Sequence, residues 1–260
     1  MNAALQSFAR GVWRFTPVIL LGLLWEAASR SGLVSELSLP PLSHVLAELH
    51  GLLGSDLWMH TSKSLARGSI ALACAIVAGI VSGLAMARYR PVRVLLNPLM
   101  QALYPMPKSA LIPLTIMWIG LGDASKITLI FIGCLLPVVV STYNAARGVD
   151  EILLWSARGL GASEGEMLRE VIFPAALPEI LNGVRTALAL SFILLVAGEL
   201  IIANNGIGYL IDTLGEDGDL AAMFAAVLVI SAIGFVADRV FVLFTARVLR
   251  WRDANSGALA

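Results

Sequence analysis

The chain has 260 residues, of which 58% are hydrophobic and 14% charged, and its 18 basic side chains balance 18 acidic ones. A soluble domain carries about 25% charged residues, so this deficit, with a mean hydropathy of +0.84, points to the bilayer. Zero net charge excludes a strongly basic nucleic-acid binder.

Six spans are predicted in chain order: 15–33, 66–87, 95–119, 125–146, 184–204 and 220–245. A spanning helix needs about 20 mostly apolar residues. The charge-free runs 68–87 and 127–146, twenty residues each, and 220–237, eighteen, meet that need without a polar face at the 3.6-residue period. Arg10 and Arg14 precede the first run as they would in a signal peptide. Glu26 interrupts that run and no small-residue cleavage site is clear, so it is read as an uncleaved span. The third run holds Pro98, Pro105, Pro107, Pro113 and Lys108, and must be kinked and packed against other helices. Cys74 and Cys134, inside apolar runs, read as small buried side chains. His44, His50 and His60 fit no metal pattern and read as solvated or interfacial. Trp13, Trp25, Trp118 and Trp251 fall near span ends, as interfacial anchors do. Glu26, Asp238 and Arg239, also near span ends, read as interfacial or packing residues.

With the N-terminus inside, thirteen of the eighteen basic residues face the cytoplasm, among them Arg88, Arg90, Arg93, Arg147, Arg158 and Arg169. The outward stretch 212–219 is acidic and carries no basic residue. Lys and Arg favour the cytoplasmic side, so an N-in, C-in topology follows. The largest inward loop is then about 147–183. Within it, WSARGLGASEGEMLREVIFPAALP (155–178) is a polar island. A helix over 150–158 is expected to break at Gly159-Leu160-Gly161. Ser163 and Glu166 form a capping box for a second helix over 164–173, which Pro174 stops, and Pro178 leads into the fifth span. An ordered polar helix pair on that face reads as a docking surface.

Charges within spans are costly and tend to mark function. Lys108 and Glu199 stand out, either lining a solute pathway or pairing with each other or with backbone carbonyls. Tyr104 and Ser191 are further pathway candidates. Gly206 and Gly208 read as a tight re-entrant turn at the outer mouth or as a plain turn. No nucleophile–base constellation is present, and no G-x-x-x-x-G-K-[ST] phosphate loop, so any ATP must be used by another chain. An intramembrane enzyme using Lys108 and Glu199, and an ion-driven secondary transporter, are the rival readings.

The island resembles the EAA loop of ABC-importer permease subunits. The family pattern is Glu-Ala-Ala, three residues, Gly, nine residues, then Ile-x-Leu-Pro. Matching positions here are Trp155-Ser156-Ala157, Gly161 and Val171-Ile172-Phe173-Pro174, with Trp in place of the Glu. Leu39-Pro40-Pro41-Leu42-Ser43, Tyr104-Pro105-Met106-Pro107-Lys108, Met117-Trp118-Ile119-Gly120-Leu121-Gly122, Ala197-Gly198-Glu199-Leu200 and Gly206-Ile207-Gly208-Tyr209 are similar to the branch importing nitrate, taurine and aliphatic sulfonates. The resemblance implies an all-α integral membrane protein of type I importer permease fold, with residues 1–260 as a single transmembrane domain in the bacterial cytoplasmic (inner) membrane. It implies a homodimer with two ATP-binding subunits and a periplasmic or lipoprotein substrate-binding protein. No cofactor is bound by this chain; ATP and Mg are used by the partner. Coupling to that partner falls on Trp155, Ser156, Ala157, Gly161, Ala162, Ser163, Glu166, Met167 and Pro174. The pathway falls on Lys108, Glu199, Tyr104, Met106, Ser191 and Asn204, and the solute is expected to be anionic or zwitterionic.

Overall fold

The computed structural model describes residues 2–32, 34–35, 38–54, 56–201 and 203–251, with the side chains of residues 2–15 left undescribed. The side chains of Arg10, Trp13 and Arg14 therefore lie outside the described part, as does residue Arg252. The helices are α1 (Asn2–Arg30), α2 (Leu42–Leu53), α3 (Leu57–Arg88), α4 (Arg90–Leu103), α5 (Leu111–Ile119), α6 (Asp123–Arg147), α7 (Glu151–Gly159), α8 (Glu164–Glu166), α9 (Phe173–Ile201), α10 (Ile207–Glu216) and α11 (Leu220–Val248). Among the described residues, four helical stretches are long and apolar enough to cross a membrane: Leu57–Arg88, Asp123–Arg147, Glu164–Ile201 and Leu220–Val248.

The centre of the bundle is α6, half of whose most apolar window is buried, against 22–39% for the other three. It runs between α3 and α9. Small residues set both contacts. A Cβ on Gly79 would lie 2.7 Å from Val138 Cβ, and one on Gly83 2.6 Å from Thr142 Cβ and 2.9 Å from the Val139 carbonyl. On the other flank, a Cβ on Gly183 would lie 2.4 Å from Ser141 Cβ and 3.0 Å from the Pro137 carbonyl. Ala71, Ala75, Gly79 and Gly83, four residues apart, make one buried stripe along α3. Lipid supplies no hydrophobic drive between helices, so close backbone approach through small residues is what holds them. Cys134 lies in this core, whereas Cys74 is exposed. Residue 74 sits one position off the stripe, on the outer face of α3, which corrects the expectation that both thiols are buried.

The paired positions 79 with 138 and 83 with 142 rise together, so α3 and α6 are parallel. The chain must therefore cross back between them, and the broken stretch from α4 to α5 does so. This third span is divided: α4 ends at Leu103, an irregular link precedes a 3-10 turn at Lys108–Ala110, and α5 follows. The Lys108 ammonium donates to the carbonyls of Leu103 (2.6 Å), Tyr104 (3.2 Å) and Met106 (2.8 Å). These carbonyls lost their helical partners at the break, and a cation there satisfies them.

Pro174 does not stop a helix, contrary to expectation. The chain stays helical from Glu164 to Ile201, because Met167–Ile172 widens into a π-turn just before the proline. The wide turn takes up the ring clash and the missing N–H. At the other end of the molecule, α1 is stitched to α2. Glu26 accepts from the Ser43 backbone N–H (3.0 Å) and hydroxyl (2.8 Å), Trp25 Nε1 donates to the Pro40 carbonyl (2.9 Å), and Ser29 donates to the Leu39 carbonyl (2.8 Å). The Leu-Pro-Pro-Leu-Ser segment is thus the clamp between them. Asp238 of α11 takes a two-pronged bond from Arg185 of α9 (2.6 and 3.0 Å).

Gly83→Leu is expected to destabilise the fold by about 1–3 kcal/mol or more, since the clash is with Thr142 Cβ and the Val139 carbonyl, neither of which can swing aside. Gly159→Ala, whose Cβ would meet nothing within 4 Å, is the control. The thermal midpoint of the detergent-purified protein reads both.

Candidate functional site

Two polar constructions lie at opposite ends of α9. At the end marked by Arg88 and Arg147, α7 opens on Asp150, whose carboxylate accepts from the Ile152 N–H at 2.9 Å. It closes through Gly161, where Ala162 N–H returns to the Ala157 carbonyl and Gly161 N–H to the Arg158 carbonyl, both at 3.0 Å. This doubly bonded C-terminal turn needs a left-handed residue past the helix end, and Gly161 has φ +83 with open space around its missing Cβ. The glycine is needed for its torsion, not for room.

The predicted capping box is present. Ser163 N–H donates to Glu166 at 2.8 Å, and Glu166 N–H to the Ser163 hydroxyl at 3.4 Å. Glu164 pairs with Arg88 at the end of α3 (2.9 Å). Met167 is 2% exposed and anchors this segment in the bundle. Outward face Ile152, Trp155 (64% exposed) and Leu160 (87% exposed), while Leu154, Ala157 and Ala162 are half-buried. A large apolar face left bare on an otherwise well-tied helix is the mark of an interaction surface. Ser156 and Ser163 are exposed beside it, and Pro174 is half-buried behind it.

At the opposite end a buried ion cluster joins α3, α6, α9 and α10. Arg67, 3% exposed, contacts the fully buried Glu199 carboxylate at 2.6 Å and Asp123 at 2.6 Å, and donates to the Asn205 carbonyl at 2.9 Å and to its side-chain oxygen. The second oxygen of Glu199 accepts from Ser64 (2.7 Å) and from the Gly208 N–H (3.0 Å). Ser64 in turn accepts from Ile207 N–H (2.8 Å), and His60 Nδ1 from Gly206 N–H (3.0 Å). The first turn of α10 therefore finds its missing acceptors in side chains of α3 and α9, with a carboxylate at its positive end. Gly206, at φ +118, admits the carboxylate where a Cβ would lie 2.4 Å from it.

His60, expected to be solvated or interfacial, is instead 8% exposed inside this cluster. Arg67 was missed because it falls at the very edge of the predicted span 66–87, whereas α3 begins at Leu57 and carries the arginine well inside the helix. The signal was present: 60, 64, 67, 71 and 75 share one helical face.

The remaining pathway candidates are dispersed. Lys108 lies against Gly133, midway along α6, and is bonded to carbonyls, as one of the two sequence readings allowed; it does not pair with Glu199. Tyr104 is 70% and Met106 37% exposed. Ser191 is buried and donates to the Leu188 carbonyl (2.7 Å), and Asn204 is exposed in the turn before α10.

Residues 75–250 match the family described as binding-protein-dependent transport system inner membrane component. The taurine transport system permease protein TauC of Escherichia coli is 37% identical, over 86% of this chain and 83% of its own length. Putative aliphatic sulfonates transport permease proteins SsuC are similar too. That of Bacillus subtilis is 31% identical over 93% and 87% of the two chains, and that of Escherichia coli 34% over 92% and 91%. Among solved structures, an amino acid ABC transporter shares the fold with a TM-score of 0.59 and 17% identity, over 75% of this chain and 92% of that one. The MetNI methionine ABC transporter does so with 0.56 and 19%, over 75% and 95%.

Arg67→Met strands a buried carboxylate and is expected to cost about 3–5 kcal/mol. The double change Arg67→Met with Glu199→Met is expected to recover most of that loss. Denaturation midpoints of the three variants in detergent test this, and additive losses would disprove the coupling.

Proposed function

The chain belongs to the binding-protein-dependent transport system inner membrane components, and from that membership we propose how it couples and what it carries. It is a multi-pass inner-membrane permease component of an ABC importer. In the proposed assembly two copies enclose the pathway, two ATP-binding subunits dock beneath, and a substrate-binding protein delivers solute from outside. ATP and Mg are used by the docked subunits, and this chain holds no cofactor. The basic end of the bundle faces the cytoplasm, in keeping with the distribution of arginines.

The observation that carries this reading is the bare face of α7. Trp155, Ile152 and Leu160 enter the groove of the ATP-binding subunit; with Trp155 where the family has Glu, that contact is apolar. Ser156, Ala157, Gly161, Ala162, Ser163 and Glu166 hold the segment's shape, while Met167 and Pro174 tie it to α9, so that closure of the motor subunits moves α9 as a body. Among the pathway candidates, Tyr104 and Met106 border the route, and Lys108 beside them contributes a positive potential. Glu199 locks the outer turn, with Asn204 beside it, and Ser191 serves packing. The solute is a small sulfonate such as taurine or an alkyl sulfonate, or a comparable small anion, in keeping with the named relatives.

The test is ATP-driven uptake in proteoliposomes holding the full importer. Gly161→Val places a branched side chain in the left-handed region, which it avoids. It is expected to lower uptake at least tenfold while the permease still inserts and co-purifies with its ATP-binding subunit. Uptake at the unaltered rate would overturn the coupling role.

A further inference from the structure

The first turn of α10 uses three side-chain acceptors of different chemistry. The Ser64 hydroxyl accepts from Ile207 N–H, the Glu199 carboxylate from Gly208 N–H, and His60 Nδ1 from Gly206 N–H at 3.0 Å. For Nδ1 to accept, its lone pair must be free, so the neutral ring carries its one hydrogen on Nε2. A hydroxyl accepts at any ordinary pH. An imidazole ordinarily takes a proton near pH ~6.5 and a glutamate carboxylate near ~4.3, so mild acid removes an imidazole acceptor before a carboxylate one. Once Nδ1 carries a proton, a donor faces the Gly206 N–H and the bond is lost. His60 is 8% exposed, and its ring lies against Tyr209 of α10 with centroids 5.8 Å apart, so water is poorly placed to replace the missing acceptor.

Resting on the permease reading, which puts this end of the bundle outside, we propose that His60 is an acid-sensitive latch whose protonation releases the turn between α9 and α10 and slows import in acidic surroundings. The closed turn binds no proton at Nδ1 and the open turn does, so a fall in pH draws the equilibrium towards the open form and a rise restores the closed one. With a free imidazole at ~6.5, the open population grows about tenfold between pH 7.5 and 5.5. Around the ring, Glu199 of α9 attracts the proton. Arg67 of α3, Lys126 of α6 (7% exposed) and the positive end of α10 repel it, while Asp123 of α6 is held by Arg67. His44, Glu48 and His50 on α2, Asp56 and Lys63 at the start of α3, Asp212 on α10 and Asp219 before α11 are exposed, and solvent screens them. Release at Gly206 spreads because the Glu199 carboxylate lies where its Cβ would be. Movement there loosens the bond of Glu199 to Gly208 N–H and that of Arg67 to the Asn205 carbonyl, by which the outer end of α9 is held.

The test uses the permease with its ATP-binding subunits in nanodiscs. Amide hydrogen exchange of the segment 204–210 is measured at pH 7.5 and 5.5 and normalised to the intrinsic chemical rate. In the unsubstituted chain it is expected to rise about tenfold at the lower pH, with α6 unchanged. In His60→Asn, whose side-chain oxygen can stand where Nδ1 stands without titrating, it is expected to stay level. A response arising in Glu199 or Asp123 would persist in that variant. Level exchange in the unsubstituted chain, a result that needs no variant, overturns the latch, and so does an equal rise in His60→Asn. ATP-driven uptake of radiolabelled taurine into proteoliposomes, with acid and binding protein on the same side, is expected to fall at least twofold at pH 5.5 in the unsubstituted importer and not in His60→Asn. Exchange that rises while uptake holds overturns the regulatory role. Absence of taurine uptake at pH 7.5 overturns the sulfonate reading, while the exchange measurement still decides the latch.

Discussion

The close passage of α6 between α3 and α9 governs the rest of the architecture. Gly79 and Gly83 on one side and Gly183 on the other bring backbones together at distances where an added carbon would strike its neighbour. In a bilayer the strength of helix association lies in such packing and in the polar bonds it permits. With α3 and α6 held parallel, the stretch between them must cross back. That crossing is made by a chain with four prolines, whose interruption leaves carbonyls needing a donor. Lys108 is placed where they are, so a cation that looks anomalous in an apolar run is the local consequence of a broken helix.

The same packing makes the ion cluster tenable. Arg67 and Glu199 come from residues 132 apart, and each is buried only because the small-residue stripe draws its helix in. The remaining lone pairs of the carboxylate go to Ser64 and the Gly208 N–H, and the remaining donors of the guanidinium to Asp123 and Asn205. A buried pair is tolerable when its geometry is good and its other valences are filled. Through it the turn before α10 is attached to three helices at once.

Much of this was legible in the sequence where the information is local. The long charge-free runs anticipated α6 and the apolar body of α3 and α11, and the Ser163–Glu166 spacing anticipated a capping box that the structure contains. The break at Gly159-Leu160-Gly161 was rightly anticipated, and the left-handed torsion of Gly161 is its reason. Legibility failed where partners are distant. Nothing near Arg67 announces Glu199; the second span, drawn around the charge-free run, was set to start nine residues after α3 does, and His60 was read as solvated or interfacial. Pro174 was misread for a related reason: a proline ends a regular helix, but a widened turn ahead of it lets the helix pass. Cys74 and Cys134 look alike in their runs, and only the helical phase relative to Ala71 and Ala75 separates them.

The uninterrupted helical path from Glu164 to Ile201, 38 residues, can also be considered as a mechanical part. At 1.5 Å per residue it is a rod of roughly 57 Å, with the ion pair to Arg88 at one tip and the Glu199 carboxylate near the other. Its compliance lies toward the near end, at the widened turn Met167–Ile172 and at Pro178, which has no N–H to give to the helix. Beyond that joint the shaft is braced laterally, by Gly183 against α6 and by Arg185 against Asp238. Twisting is therefore absorbed close to the surface that bears α7, and displacement along the axis is what the braced shaft conveys to the far end.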